Sequence, residues 1–274
     1  MRFQRFHLSL TALALAAAIG AHDVTAQLPG RVIDVNGGDY FFQAPDTIDP
    51  GVITLRLWQR GNDFHNLELV RLDSGHTGVE WHRAAVAHRL PTWAVNLGGP
   101  GFARKQQSSN ATYVLEPGNY LLTCSVGSAR PVDSLYHVWR GMIRLIHVRE
   151  GKRLAQLPRA DITARITARG VEFSGTMESG VRVLRVENAD TVVHEFGVTR
   201  VLSGHTAAEA IAWRRRSGTP EPDTLVGGLG DLDPGRVLLT TITFEPAEYI
   251  AKTLVNAGRP GAQTAFHIAK RREP

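Results

Sequence analysis

Chemistry-bearing side chains concentrate in Leu121–Met142, LLTCSVGSARPVDSLYHVWRGM. This stretch holds Cys124, the only cysteine in 274 residues, followed by His137 and then Met142. A thiolate, an imidazole and a thioether on one returning loop suit a mononuclear copper site with a long axial bond, and such a site needs one more imidazole. Upstream, Asp63-Phe64-His65-Asn66 offers it in His65. Each residue alone has a plainer use: Cys124 as a small buried hydrophobe, Met142 as core filler, His137 as a loop histidine. Their joint occurrence points to copper.

The elements that must position these residues read as strands. Val52–Trp58 and Val181–Val186 alternate apolar and polar in part, and short β-branched runs bounded by Gly, Pro, Asn and Asp recur along the chain, as in an all-β sandwich. Sliding the chain along itself by 129 residues brings His65 onto His194, Ser74-Gly75-His76-Thr77 onto Ser203-Gly204-His205-Thr206, Gly98-Gly99 onto Gly227-Gly228, Glu116-Pro117 onto Glu245-Pro246 and Tyr120 onto Tyr249. This is a tandem duplication. The expected units are 28–149 and 161–270, joined by a linker over 150–160. In each, Thr-x-x-Glu (Thr77/Glu80, Thr206/Glu209) announces a short inserted helix, expected over Gly78–His88 in the first unit. His76 and His205 belong to the turn before that helix rather than to a second metal site, and His147 and His267 belong to the last strands. In the second copy Cys124 is replaced by Thr253, His137 by Ala257, Met142 by Ala262 and Asn66 by Glu195, while His194 remains. The second unit thus serves as an internal control: the fold does not require the ligand set, and the first unit keeps all of it.

Residues 1–26 have a basic start (Arg2, Arg5), an apolar core (Leu8–Gly20) and small residues at Val24-Thr25-Ala26. They read as an export signal cut after Ala26, which implies a periplasmic or extracellular mature chain with no integral membrane span. In an oxidising compartment a lone cysteine needs an explanation, and metal ligation is one. The formal net charge of +5 is modest and does not call for nucleic acid. Arg214-Arg215-Arg216 and Lys270-Arg271-Arg272 read as solvated loop and tail charges.

These motifs resemble the cupredoxins, the blue-copper family. The resemblance rests on His65-Asn66 after a strand, on Glu116-Pro117-Gly118-Asn119-Tyr120 leading to Cys124, and on His137 to Met142 with Gly141 before the methionine. It implies two tandem Greek-key β-sandwich domains, each with a short inserted helix, the second lacking copper ligands. It further implies one type 1 copper held by His65, Cys124 and His137 with Met142 as the weak axial ligand, and Asn66 bracing the ligand loop from outside the coordination sphere. Twelve residues separate Cys124 from His137, more than the family usually has; closure entropy grows slowly with length, and Pro131 would stiffen the loop.

Such a centre implies one-electron transfer through the exposed edge of His137 to a redox protein partner. Multicopper oxidases carry His-x-His pairs, absent here, and copper nitrite reductases place His before the Cys, where this chain has Thr123. The expectation is therefore an electron carrier or binding protein and not an enzyme. Two alternatives remain open: a metal-free tandem scaffold of the cell envelope, and a Cu(I) storage or delivery protein.

Overall fold

The computed structural model of the chain describes residues 28–127, 135–151, 156–213, 219–255 and 259–272. The export segment 1–26, Pro131, Arg214–Arg216, Ala257 and part of the expected linker (152–155) lie outside these residues.

Nine strands form from the first copy: β1 (Arg31–Gly38), β2 (Phe41–Gln43), β3 (Thr47–Ile48), β4 (Gly51–Gln59), β5 (Glu68–Leu72), β6 (Ala94–Asn96), β7 (Ser108–Leu115), β8 (Gly118–Thr123) and β9 (Ile143–Val148). Eight form from the second: β10 (Ile162–Thr167), β11 (Gly170–Gly175), β12 (Gly180–Asn188), β13 (His194–Val201), β14 (Asp223–Leu232), β15 (Val237–Phe244), β16 (Ala247–Val255) and β17 (Arg259–Ile268). The sequence alternation becomes alternation of faces. In β12, Arg182, Leu184, Val186 and Asn188 point inward and the residues between them are partly exposed.

The strands order as β2-β1-β4-β7 and β3-β9-β8-β5-β6 in the first copy, and as β11-β10-β12-β15 and β14-β13-β16-β17 in the second. β1 lies parallel to β4, and β10 parallel to β12. The result is all-β with one strand plan in both copies, as the cupredoxin resemblance implies. β7 and β15 meet antiparallel at Thr112 and Leu239, which joins the two four-stranded sheets into one of eight. Asn110 clamps that seam. Its Nδ2 donates to the Thr241 carbonyl and its Oδ1 accepts from the Thr241 N–H, both at 2.8 Å, while its own carbonyl accepts from the Thr240 hydroxyl at 2.8 Å. One apolar cluster runs through both copies and includes Cys124 and Met142.

The repeated motifs are structural. Helices α1 (Gly78–Val86) and α2 (Ala207–Ala212) carry identical capping boxes: Thr77 and Thr206 accept from the N–H of Glu80 and Glu209 at 3.2 Å, and each Glu accepts from its Thr N–H at 2.8 Å. α1 stops short of the expected His88, which adopts a left-handed backbone (φ 54°) just past the cap. His76 and His205 sit in the preceding turns, with ring nitrogens 3.8 and 3.9 Å from Glu80 and Glu209. Each Glu-Pro-x-x-Tyr run forms a tyrosine corner, the Tyr120 and Tyr249 hydroxyls donating to the carbonyls of Glu116 (2.9 Å) and Glu245 (3.0 Å). Gly99 and Gly228 let a crossing chain lie against the carbonyls of Leu67 and Phe196; a Cβ at either would overlap that oxygen. His147 and His267 lie in β9 and β17, both exposed, and Lys270–Arg272 is exposed as expected.

Candidate metal centre

Three loops converge at one end of the first sandwich. His65 comes from the connection between β4 and β5, Cys124 directly follows β8, and His137 opens a 3-10 turn, His137–Arg140. Gly141 ends that turn in the left-handed region (φ 87°), so the chain reverses and Met142 enters β9. The Met142 N–H donates to the His137 carbonyl at 3.0 Å. His65, Cys124, His137 and Met142 are all 0% exposed.

The ligand-type atoms face one another. The Nδ1 atoms of His65 and His137 are 3.1 Å apart, and the Cys124 Sγ lies 3.9 Å from the first and 3.5 Å from the second. Among the described residues, this is the one group of three such side chains gathered within 4.8 Å. On the far side of each ring stands a carboxylate: Asp39 Oδ1 is 3.4 Å from His65 Nε2, and Asp63 Oδ2 is 3.6 Å from His137 Nε2. Carboxylates there favour the proton on Nε2 and leave the Nδ1 lone pairs turned inward. Two such lone pairs at 3.1 Å repel unless a proton or a cation lies between them. Burial lowers the pKa of both rings, and for His137 the neighbouring His65 lowers it further. Burial also pushes the Cys124 thiol up to about 12, against the backbone N–H groups of Val126 and Asn66, which favour the thiolate. The pocket therefore holds its donors neutral, and a soft metal ion would displace the thiol proton on binding.

The long Cys124–His137 segment does not loosen this geometry. The Val138 N–H donates to the Cys124 carbonyl at 3.0 Å, the His137 N–H donates to the Val126 carbonyl at 2.8 Å, and Gly127 bridges Tyr136. These bonds close a backbone neck between 124–127 and 136–138; residues 128–134 lie outside the described set. Asn66 ties the neck to the His65 loop: its Oδ1 accepts from the Ser125 N–H at 3.0 Å and its Nδ2 donates to Ser125 Oγ at 2.8 Å. Helix α1 supports the same turn, with His82 Nε2 donating to the Val138 carbonyl at 2.8 Å.

Several contributors carried no sequence signal beyond turn composition. Asp39 accepts from the N–H groups of Asn62 (2.7 Å) and Asp63 (3.1 Å) and so shapes the His65 loop. Burial works against the charge of Asp39, but those N–H groups outweigh it and hold the pKa low. Gly61 is required for close approach, because a Cβ there would lie 2.6 Å from His65 Nε2 and overlap Asp39 Oδ1. Tyr40, at φ 69°, stands edge-on to the His137 ring with centroids 5.1 Å apart, and Arg140 lies over the Tyr40 ring. The expected exposed edge of His137 is therefore absent: Tyr40 and Asp63 cover it, and His137 is fully buried.

No protein-family model matches this chain, and no curated protein matches it by sequence. Solved structures do match. Auracyanin A, a "blue" copper protein from the green thermophilic photosynthetic bacterium Chloroflexus aurantiacus, is 18% identical and covers 43% of this chain and 98% of its own, with a TM-score of 0.28. A blue copper oxidase from Nitrosomonas europaea is 14% identical over 88% of this chain and 86% of its own, with a TM-score of 0.23. A copper-containing nitrite reductase from Thermus scotoductus is 10% identical over 88% of this chain and 61% of its own, with a TM-score of 0.22. The two that span both units are an oxidase and a reductase, so the expectation that this chain is not an enzyme does not stand. All three are remote likenesses, at 18% identity or less and TM-scores of 0.28 or less.

Proposed function

We propose that the first unit holds one type 1 copper ion and passes one electron at a time, in a protein exported from the cytoplasm. His65 Nδ1, His137 Nδ1 and the Cys124 thiolate are the strong ligands and Met142 is the weak axial one. The observation that carries this reading is the convergence of two imidazole Nδ1 atoms and one thiol sulfur, all fully buried, on one point. Zinc also accepts Cys and His, but the buried residue whose N–H bonds the His137 carbonyl and whose side chain shares the apolar core with Cys124 is Met142, and its thioether suits copper. Copper would supply the redox chemistry. The chain's own part is to exclude water, to hold each imidazole through Asp39 and Asp63, and to fix the sulfur through Asn66 and the neck around it.

Complete burial of the ligands favours this reading over storage or delivery, which needs an exchangeable ion. Electrons would enter through Tyr40, half-buried over His137, from a redox protein partner or an oxidisable substrate. The test is titration of the mature chain with Cu(II) under visible spectroscopy. One equivalent should generate an intense thiolate-to-copper charge-transfer band and raise the melting temperature, because a metal bound only by the folded state stabilises it by mass action. A chain that takes up no copper and melts unchanged would leave only the metal-free scaffold. The described residues contain no helix long and apolar enough to cross a membrane; export itself is tested by sequencing the N-terminus of the mature protein, expected at Gln27.

A further inference from the structure

A cavity of about 660 Å³ opens between the two copies, behind the metal centre. Repeat-equivalent pairs face into it from both sides: Asn66 and Glu195, and Ser125 and Leu254. Three carboxyl groups line one region of it, Glu68, Glu195 and Asp231. Glu68 is 3% exposed. Its Oε1 accepts from Asn66 Nδ2 (3.1 Å) and from the Asp231 N–H (2.9 Å), but its Oε2 has no hydrogen-bond partner, and neither does Glu195 Oε2. All three carboxyls have raised pKa values. Burial is the first cause, followed by a neighbouring carboxylate: Asp231 for Glu68 and for Glu195, and Asp233 for Asp231.

Among the described residues lining the cavity there is no Lys or Arg, and the one basic ring, His88, is exposed at the mouth. Trp81, Tyr136 and Trp139 also line it. Unpaired carboxyl oxygens call for N–H donors and positive charge, and aromatic faces attract a cation. The volume is that of a small-molecule site.

We infer that this cavity binds an organic cation, a primary ammonium on an apolar ring-bearing body, with the nitrogen at Glu68 and Glu195 and the ring against Trp81 and Trp139. The ammonium donates to the two unpartnered oxygens and supplies the missing charge. This inference does not rest on copper. Its test is calorimetric titration of the metal-free full chain with 2-phenylethylammonium, with 2-phenylethanol as neutral analogue and 3-phenylpropionate as anionic analogue. The ammonium should bind at least tenfold tighter than the alcohol, the anion should not bind, and Glu195→Gln and Glu68→Gln should each weaken the ammonium about tenfold without affecting the alcohol. Glu195, being partly exposed, keeps the test valid should Glu68→Gln fail to fold. Absence of ammonium binding, equal affinity for the alcohol, or affinity unmoved by Glu195→Gln would each overturn the inference. A chain that binds copper but not the amine removes this inference and leaves the metal centre standing, and the reverse result does the opposite.

Discussion

The two copies place the same backbone to opposite ends. In the first, Cys124 points a sulfur at two imidazoles; in the second, the equivalent Thr253 turns its hydroxyl to the backbone and accepts from the Ala262 N–H at 2.9 Å. Position 262 is where the first copy carries Met142. The loop junction that metal ligands would fill is thus stitched by the Thr253 hydroxyl, which also donates to the Ala262 carbonyl at 3.4 Å. The retained His194 donates from Nε2 to Asp190 Oδ2 at 2.9 Å, while its buried Nδ1, the atom that faces the thiol in the first copy, has no partner. The helices differ in the same sense. α1 is nine residues long and packs through Trp81 and Ala85 beside Val138 of the ligand turn; α2 is six long and packs on Val201 and Ile250. A duplicated sandwich needs the capping box, the tyrosine corner and the glycine pair, since both copies keep them. The donors, the long helix and the Asn66 bridge form a second layer that only one copy retains.

The largest effect expected of a change that breaks this asymmetry is from Cys124→Ser, which should abolish the charge-transfer band entirely. Thr253→Cys should create no second band and leave copper at one equivalent, because Ala257 offers no second imidazole beside His194. Second-copy uptake on that single change would show that the surrounding residues matter less than the thiolate. Next is Gly61→Ala. The added methyl would displace His65 or Asp39, so copper affinity should fall at least tenfold and the fold should lose about 2 kcal/mol in chemical denaturation.

Asn66→Ala comes third. It leaves the Ser125 N–H unpaired and should cost about 1–3 kcal/mol, whereas its counterpart Glu195→Gln should stabilise the chain at alkaline pH. The sign follows from linkage. Glu195 has its pKa raised from 4.5 to about 7, so the folded state binds more protons between those values. Its contribution is fully present below pH 4.5 and is lost as pH rises through 7. Between pH 5 and 8 the wild type should therefore lose about 2 kcal/mol relative to Glu195→Gln, after discounting for partial exposure. His65 runs the other way. Its pKa is lowered from 6.5, so the metal-free chain should lose stability as pH falls below 6.5, where the unfolded state takes up the proton first. The smallest effects belong to the caps. Thr77→Ala and Thr206→Ala should each cost about 1 kcal/mol, but only the first should alter the copper spectrum, since only α1 supports a ligand turn.

Much of the candidate metal centre was legible because its residue types are rare and ordered: a lone cysteine, then a histidine and a methionine five positions apart, with the second copy as control. Asp39, Tyr40 and Gly61 were not, because a Gly-Gly-Asp-Tyr hairpin and an Arg-Gly-Asn-Asp loop are ordinary turn chemistry until folding brings them beside the imidazoles. For the same reason the expected open edge of His137 failed: the side chain covering it lies almost a hundred residues upstream. The acidic cavity was invisible in either copy alone. Glu68 opens a strand that also carries the exposed Arg71, and Asp231 reaches it where the glycine pairs of the two copies bond directly, the Gly230 N–H donating to the Gly99 carbonyl at 2.8 Å and the Gly101 N–H to the Gly228 carbonyl at 3.1 Å.

X-ray absorption at the copper edge of the loaded full-length mature chain tests the metal centre most directly. The account predicts one sulfur and two imidazole nitrogens in the first shell, with the sulfur lost in Cys124→Ser. A shell of nitrogen and oxygen alone, unchanged by that substitution, would contradict it.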